Sequence, residues 1–333
     1  MGIMDDSVET RTPPNPGGKR KKEPEMYPAP FIVPPTTAHT QTILFLHGRG
    51  SNGEKFGQEL LASKTATGQT IQERFPGMKF IFPTAKKRRA KWYKRALISQ
   101  WFDNVPIDEQ SKEMSREEIE WQVEGLTETA EFLNPLLDEE VRAVGAKNVF
   151  LGGLSQGCAM ALHLLLSYQP REEGRNGDWG SLGGFVGMSG WLPFAEDIRG
   201  LIRSEDMIEK AGEDEEDDDP FATSDDEGDS AVFESHRCQL SLSMQVCNFV
   251  RENIEMSPLE SIEPLCLKTP VFLGHGKKDE KVKIALGLDI VMILRVIGMQ
   301  VRWEEYDEGH WYKVPEQIDD LVDFLETCAG SAI

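Results

Sequence analysis

The nineteen residues from Val149 to Ser167, VFLGGLSQGCAMALHLLLS, constrain this chain more than any other stretch. They begin as a short apolar run, pass through Gly153-Leu154-Ser155-Gln156-Gly157, and continue as a helical pattern read as amphipathic. A G-x-S-x-G between a strand and a helix describes a sharp turn. Small residues two before and two after the serine let the backbone cross itself without Cβ clashes. The hydroxyl of Ser155 is then held at a helix N-terminus, where unsatisfied backbone N–H groups can meet a developing negative charge. A bystander serine in an ordinary strand-to-helix turn is the competing reading. The apolar run before and the helix after favour the nucleophile.

The elements around this turn alternate. Thr42–Leu46, Lys79–Phe82, Gly183–Met188, Thr269–Gly276 and Gln300–Tyr306 read as buried strands, and an edge strand is expected near Phe31–Val33. Helices are expected over 54–64, 115–134, 280–297 and from Pro315 to about Thr327. Such alternation predicts an α/β fold with a mostly parallel sheet covered on both faces, and chemistry gathered at the carboxyl ends of its strands.

Two segments stand apart. Residues 1–28 are polar, Pro-rich and charged, and are read as a disordered tail; the Lys19–Lys22 cluster admits a nuclear address. Between Glu213 and Asp229, eleven of seventeen residues are Asp or Glu; without them the net charge would be −10 instead of −21. No core forms from such a stretch, so 200–264 is expected to be an acidic, largely disordered insertion with weak helix near 240–253, interrupting a single domain over 29–330. Charge inverts locally at 86–95, where seven Lys or Arg surround Trp92 and Tyr93. A solvated loop is the plainer reading, and an attractor for anionic head groups or an acidic partner the sharper one.

Composition excludes several classes. The strong negative charge argues against nucleic acid as a partner. Five scattered cysteines without C-x-x-C spacing argue for a reducing compartment and against a disulfide framework or zinc site. No run reaches the ~18 apolar residues of a membrane span. No dinucleotide or Walker fingerprint occurs, so no cofactor is expected. A cytoplasmic location, with the nucleus as a second one, fits these features.

A serine nucleophile needs a base, and the base an acid to fix its tautomer. In strand–elbow–helix hydrolases the order is Ser, acid, His. Of the histidines after Ser155, His163 lies inside the elbow helix, His236 in the insertion, and His275 ahead of the acid. His310 follows the last strand in Glu308-Gly309-His310-Trp311 and is the expected base. Asp279, just past the preceding strand, is the expected acid, with Glu280 and Asp307 as alternatives; His47 is expected to orient its glycine-rich loop.

The sequence FLHGRG at 45–50, WFD at 101–103, GGLSQG at 152–157, SGWLP at 189–193, PVFLGHGKKD at 270–279 and YDEGH at 306–310 together resemble the acyl-protein thioesterase / phospholipase-carboxylesterase family over about 40–195 and 268–328. The resemblance implies an α/β-hydrolase without a large cap domain. It implies Ser155, Asp279 and His310 as triad, and the backbone N–H groups of Arg49 and Gln156 as oxyanion hole. It places Trp101, Trp191 and Leu192 against substrate. Its members cleave thioesters of palmitoylated proteins, lysophospholipids or short carboxylic esters. Acylated proteins or small lipid esters are thus the implied substrates, with transient membrane contact and a monomer or weak dimer. The basic loop, the insertion and Arg49, where a small apolar residue is common, depart from the family pattern. A non-catalytic adaptor built on the same fold is the rival class; the filled triad positions favour the enzyme.

Overall fold

The computed structural model describes residues 26–107, 115–170, 180–213, 240–259 and 263–330, with side chains of the 195–213 helix described to residue 205. Seven strands form one sheet: β1 (Phe31–Val33), β2 (Gln41–Leu46), β3 (Met78–Phe82), β6 (Val149–Leu154), β7 (Gly184–Met188), β8 (Val271–Gly276) and β9 (Val301–Tyr306). Their order is β1-β3-β2-β6-β7-β8-β9, and only the β1–β3 pair is antiparallel. β4 (Lys87–Ala90) and β5 (Ala96–Ser99) form a separate antiparallel hairpin. The helices are α1 (Gly53–Ala62), α2 (Ile71–Arg74), α3 (Arg116–Val144), α4 (Gln156–Ser167), α5 (Ala195–Glu213), α6 (Leu242–Glu252), α7 (Ile284–Val296) and α8 (Glu316–Gly330).

The central strands are apolar on both sides because both faces are covered. On one face Leu44, Leu151 and Leu273 pack with α3, α4, α6 and α7; on the other Ile43, Phe150 and Phe272 pack with α1 and α8. This is the expected α/β-hydrolase architecture, with its elbow on the central strand β6. Helix α3 runs ten residues past the expected end at 134. Pro135 removes one intrahelical bond there, and the Leu126, Leu133, Leu137 and Val141 face holds the helix together around it.

Four expectations change. Helix α4 is buried on every side rather than amphipathic, because α6 covers its outer face with Met244, Val246, Cys247 and Val250. The Arg251 guanidinium donates to the Ser167 carbonyl at the α4 C-terminus, where a cation meets unsatisfied acceptors and the negative dipole end. The buried face of α6 and Ile254 therefore belong to the core, and α5 runs into the insertion from the other side, so its 200–264 limits are too wide. The acidic stretch over 214–239 lies outside the described residues. Tyr27, expected in the tail, stacks on Phe132 with ring centroids 4.1 Å apart and bonds Thr129 at 2.8 Å; residues 1–25, with the Lys19–Lys22 cluster, are outside the described set. The basic loop is a hairpin. Alternation turns Arg88 toward Glu128 of α3 and the Tyr27 hydroxyl while Arg89 and Leu97 face water, and Lys94 and Arg95 make the turn at φ 52° and 61°.

Candidate active site

Ser155 sits between β6 and α4 at φ 56°, ψ −123°, a conformation costly for a residue with a Cβ. The surroundings impose it. A Cβ at Gly153 would lie 2.4 Å from the Gly157 carbonyl carbon, and one at Gly157 would lie 2.2 Å from the Leu46 carbonyl oxygen. The Ser155 N–H is held by the Met188 carbonyl of β7 at 2.8 Å. The hydroxyl is thus aimed by sheet and helix together.

Asp279 and His310 come from the loops after β8 and β9. These loops are tied by backbone bonds, Lys277 N–H to Tyr306 O at 2.8 Å and Lys278 N–H to Glu308 O at 2.9 Å. Gly276 permits the contact, since its Cβ would lie 2.2 Å from Gly309 O. The result is a linear array: Asp279 Oδ2 accepts from His310 Nδ1 at 2.7 Å, and His310 Nε2 lies 2.8 Å from Ser155 Oγ. With Nδ1–H given to the carboxylate, Nε2 is the acceptor for the serine proton. The structure brings together all three residues singled out from the sequence. Glu280 is exposed, and Asp307 pairs with Lys278 at 2.6 Å in solvent.

Asp279 is buried, which pushes its pKa up, but bonds from His275, His310 and the Val282 N–H outweigh this and hold it well below the usual carboxylate range. Its other oxygen accepts the N–H groups of Lys281 and Val282, both at 2.9 Å. His275 is a contact that chain order sets aside. Its Nε2 donates to Val282 O at 2.8 Å and lies 3.4 Å from Asp279 Oδ2, so a second imidazole braces the acid. The sequence signal for it is the His275–Asp279 spacing across a tight turn.

His47 orients its loop as expected. Nδ1–H donates to Gly48 O at 2.7 Å and Nε2 accepts the Ala85 N–H at 3.0 Å, while burial lowers its pKa to about 4. Gly48 packs against the elbow, its absent Cβ falling 3.5 Å from Ser155 Cβ, which brings the Arg49 backbone beside the nucleophile. Gln156 opens α4, where first-turn N–H groups have no intrahelical acceptor. Its side chain is consumed elsewhere: Oε1 accepts from the Trp101 N–H at 3.1 Å, and Nε2 donates to Phe102 O at 2.8 Å and Asn104 Oδ1 at 3.0 Å. The Arg49 guanidinium donates to the same Asn104 oxygen and lies 5.9 Å from the Tyr93 ring centroid.

A cavity of about 480 Å³ opens above Ser155 and His310. Tyr93, Pro106, Ile107, Leu154, Trp191 and Trp311 give it an apolar wall; Arg49 and Lys281 are its cations. Of the three substrate residues expected, only Trp191 lines it. Trp101 is wholly buried, its indole N–H donating to His47 O at 2.8 Å, and Leu192 packs in the core. The WFD segment is therefore a brace for the elbow, made by Gln156 and His47. Tyr93, Ile107 and Trp311 escape a reading of the sequence because no spacing relation links three such distant loops. Among the described residues no helix is long and apolar enough to cross a membrane.

A family model described as phospholipase/carboxylesterase matches residues 27–206. Acyl-protein thioesterase 1 of Yarrowia lipolytica is 32% identical over 175 residues, 52% of this chain and 67% of that protein. Acyl-protein thioesterase 1 of Gibberella zeae is 21% identical over 298 residues, 89% of this chain and 94% of its own. The crystal structure of Zea mays acyl-protein thioesterase 2 superposes with a TM-score of 0.57 at 23% identity, covering 91% of this chain and 99% of that one, a likeness of fold.

Proposed function

The chain belongs to the phospholipase/carboxylesterase family, and on that premise we propose that Ser155, His310 and Asp279 are the catalytic triad of an acyl hydrolase whose substrates are thioesters of acylated proteins. One observation carries the reading: the array from Asp279 through His310 to Ser155, at 2.7 and 2.8 Å, lies at the floor of an apolar cleft.

The mechanism follows from the geometry. Ser155 Oγ attacks the acyl carbonyl carbon while its proton passes to His310 Nε2, and Asp279 stabilises the imidazolium. The carbonyl oxygen becomes an oxyanion that accepts from the Arg49 and Gln156 N–H groups. Collapse breaks the bond to the leaving group, which departs as a thiol or alcohol with the proton from His310. Water, deprotonated by His310, then releases the acid and restores Ser155. The apolar wall from Ile107 to Trp191 suits an acyl chain rather than a polar acid. The thioesterase reading is supported by the acyl-protein thioesterases among the relatives. Cleavage of a small carboxylic ester or a lysophospholipid uses the same machinery, and Lys281 at the cavity offers a cation to the phosphate of a lipid head group.

Residence in a reducing compartment such as the cytoplasm fits the free buried thiols of Cys158, Cys247 and Cys266. A fluorophosphonate probe should label the chain and fail on Ser155→Ala. Turnover of an S-acyl peptide against p-nitrophenyl esters of graded length then ranks the substrates. An unlabelled wild-type chain that hydrolyses neither would sink the proposal in favour of the adaptor.

A further inference from the structure

A second cavity, of about 340 Å³, lies between the β4–β5 hairpin and the first half of α3, and shares no lining residue with the catalytic cleft. The hairpin side presents Lys86, Lys87, Arg88, Arg89, Lys91 and Arg95. From α3 come Trp121, Glu124, Gly125 and Glu128, whose spacing of three and four puts them on one helix face. Six cations thus face three carboxylates, Asp103 being the third, in a chain of net charge −21.

Two of those carboxylates are already engaged. Asp103 accepts the Lys91 N–H at 2.8 Å and the Gln100 amide at 3.2 Å. Glu128 pairs with Lys86 at 2.6 Å and with Arg88. Lys87, Arg89, Lys91 and Arg95 have no carboxylate within ion-pairing distance among the described residues. Lys91 Nζ lies instead 5.2 Å from the Trp121 ring centroid.

Two buried donors on lining residues, Arg88 Nε and Trp121 Nε1, find no acceptor among the described residues. Neither group accepts a hydrogen bond, so whatever satisfies them must supply acceptor oxygens. The four cations around them that lack a carboxylate partner among the described residues favour charged oxygens. A phosphate monoester carries nearly two negative charges and three acceptor oxygens, which suits the Arg88 Nε–H, the Trp121 indole N–H and the ammonium of Lys91. We propose that this cavity is a binding site for a phosphate monoester group, borne either by a small soluble ligand or by a lipid. The hairpin connects it to catalysis, because Tyr93, between Lys91 and Arg95, is part of the wall of the catalytic cleft.

The test reads the orphan donor directly. In ¹H–¹⁵N spectra of the full chain, Trp121→Phe identifies the Trp121 indole resonance among seven tryptophans. Titration with glycerol 3-phosphate should move that resonance, while chloride at matched ionic strength leaves it in place. The double variant Arg89→Gln/Lys91→Gln, at two exposed positions, should weaken binding by about tenfold or more without changing the thermal midpoint. Flotation with phosphatidylcholine vesicles, with and without phosphatidic acid, distinguishes the sources. Binding to phosphatidic acid alone, lost in the double variant and in Trp121→Phe, assigns the lipid. Silence toward both probes, an equal response to chloride, or wild-type affinity in the double variant would overturn the site.

Discussion

The catalytic loops and the β4–β5 hairpin are built on opposite terms. Around Ser155 nearly every polar atom is engaged: Asp279 accepts from His310, Lys281 and Val282, and Gln156 uses both ends of its amide to brace Trp101, Phe102 and Asn104. At the hairpin, charge and donors are left over among the described residues: Lys87, Arg89, Lys91 and Arg95 without carboxylates, Arg88 Nε and Trp121 Nε1 without acceptors, and Trp92 and Leu97 in water. A site that stabilises a transition state must be organised before substrate arrives, since reorganisation during reaction costs rate. A site that binds a ligand can leave its last bonds for the ligand to make. The same chain supplies both because one is set by backbone close approach and the other by surface side chains.

The largest effects should come from breaking the catalytic array. Ser155→Ala and His310→Ala should each lower kcat by about three or more orders of magnitude with the thermal midpoint unchanged, since triad members act as a unit. Asp279→Asn should cost on the order of 10³–10⁴, because the amide no longer holds the Nδ1–H tautomer. Glu280→Gln and Asp307→Asn should leave kcat within about twofold. Steady-state kinetics on one thioester decide all five; a silent Asp279→Asn with a crippled Asp307→Asn would reassign the acid.

Acid stability gives the next effect. His47 and His163 are buried, and burial lowers their pKa values to about 4 and about 3. The unfolded chain then binds more protons than the native one below the free-imidazole range. Their contribution is present above about pH 6.5 and is lost as pH falls toward 4 for His47 and 3 for His163, on the order of 3 kcal/mol for His47. Asp279, also depressed, adds its loss only below about pH 4. Urea midpoints from pH 7 to 4 should fall for the wild type and fall less for His163→Leu. Parallel curves for the two would show that His163 does not titrate with unfolding.

Legibility in the sequence follows the same division. Gly153, Gly157 and Gly276 are spaces that other backbone atoms occupy, so the motif around Ser155 and the loops carrying Asp279 and His310 can be read one residue at a time. The buried strands are equally plain, because β2, β6 and β8 are apolar on both faces. Partnership is not plain. That α6 covers α4, that Trp101 braces Gln156 instead of touching substrate, and that Arg88 turns inward to Glu128 all depend on which distant elements meet. Charge misleads most at the hairpin, where basic composition conceals a strand pair; the helix near 240–253 is expected from the sequence, but not that its buried face packs on the core.

His275 tests whether bracing around the acid matters. His275→Gln keeps a donor near Val282 O but removes the ring held 3.4 Å from Asp279 Oδ2. A positioning role predicts about a tenfold fall in kcat with KM little changed, since orientation acts on the transition state. Equal falls in kcat and in thermal midpoint would mark a structural role only.

The smallest effect belongs to the hairpin tip. Trp92 is 41% exposed, and Lys94 lies at the turn with φ 52°. Neither lines either cavity, and neither belongs to the cores that hold the sheet. Surface substitutions of this kind change stability by at most about 0.5 kcal/mol. Trp92→Ser should therefore leave the midpoint unchanged, and Lys94→Gly should hold or slightly raise it, because glycine takes the left-handed conformation without a Cβ. Chemical denaturation resolves the point. A loss above about 1 kcal/mol in either variant would mean that the tip is held by its neighbours as firmly as the elbow is, and the contrast between the two regions would fail.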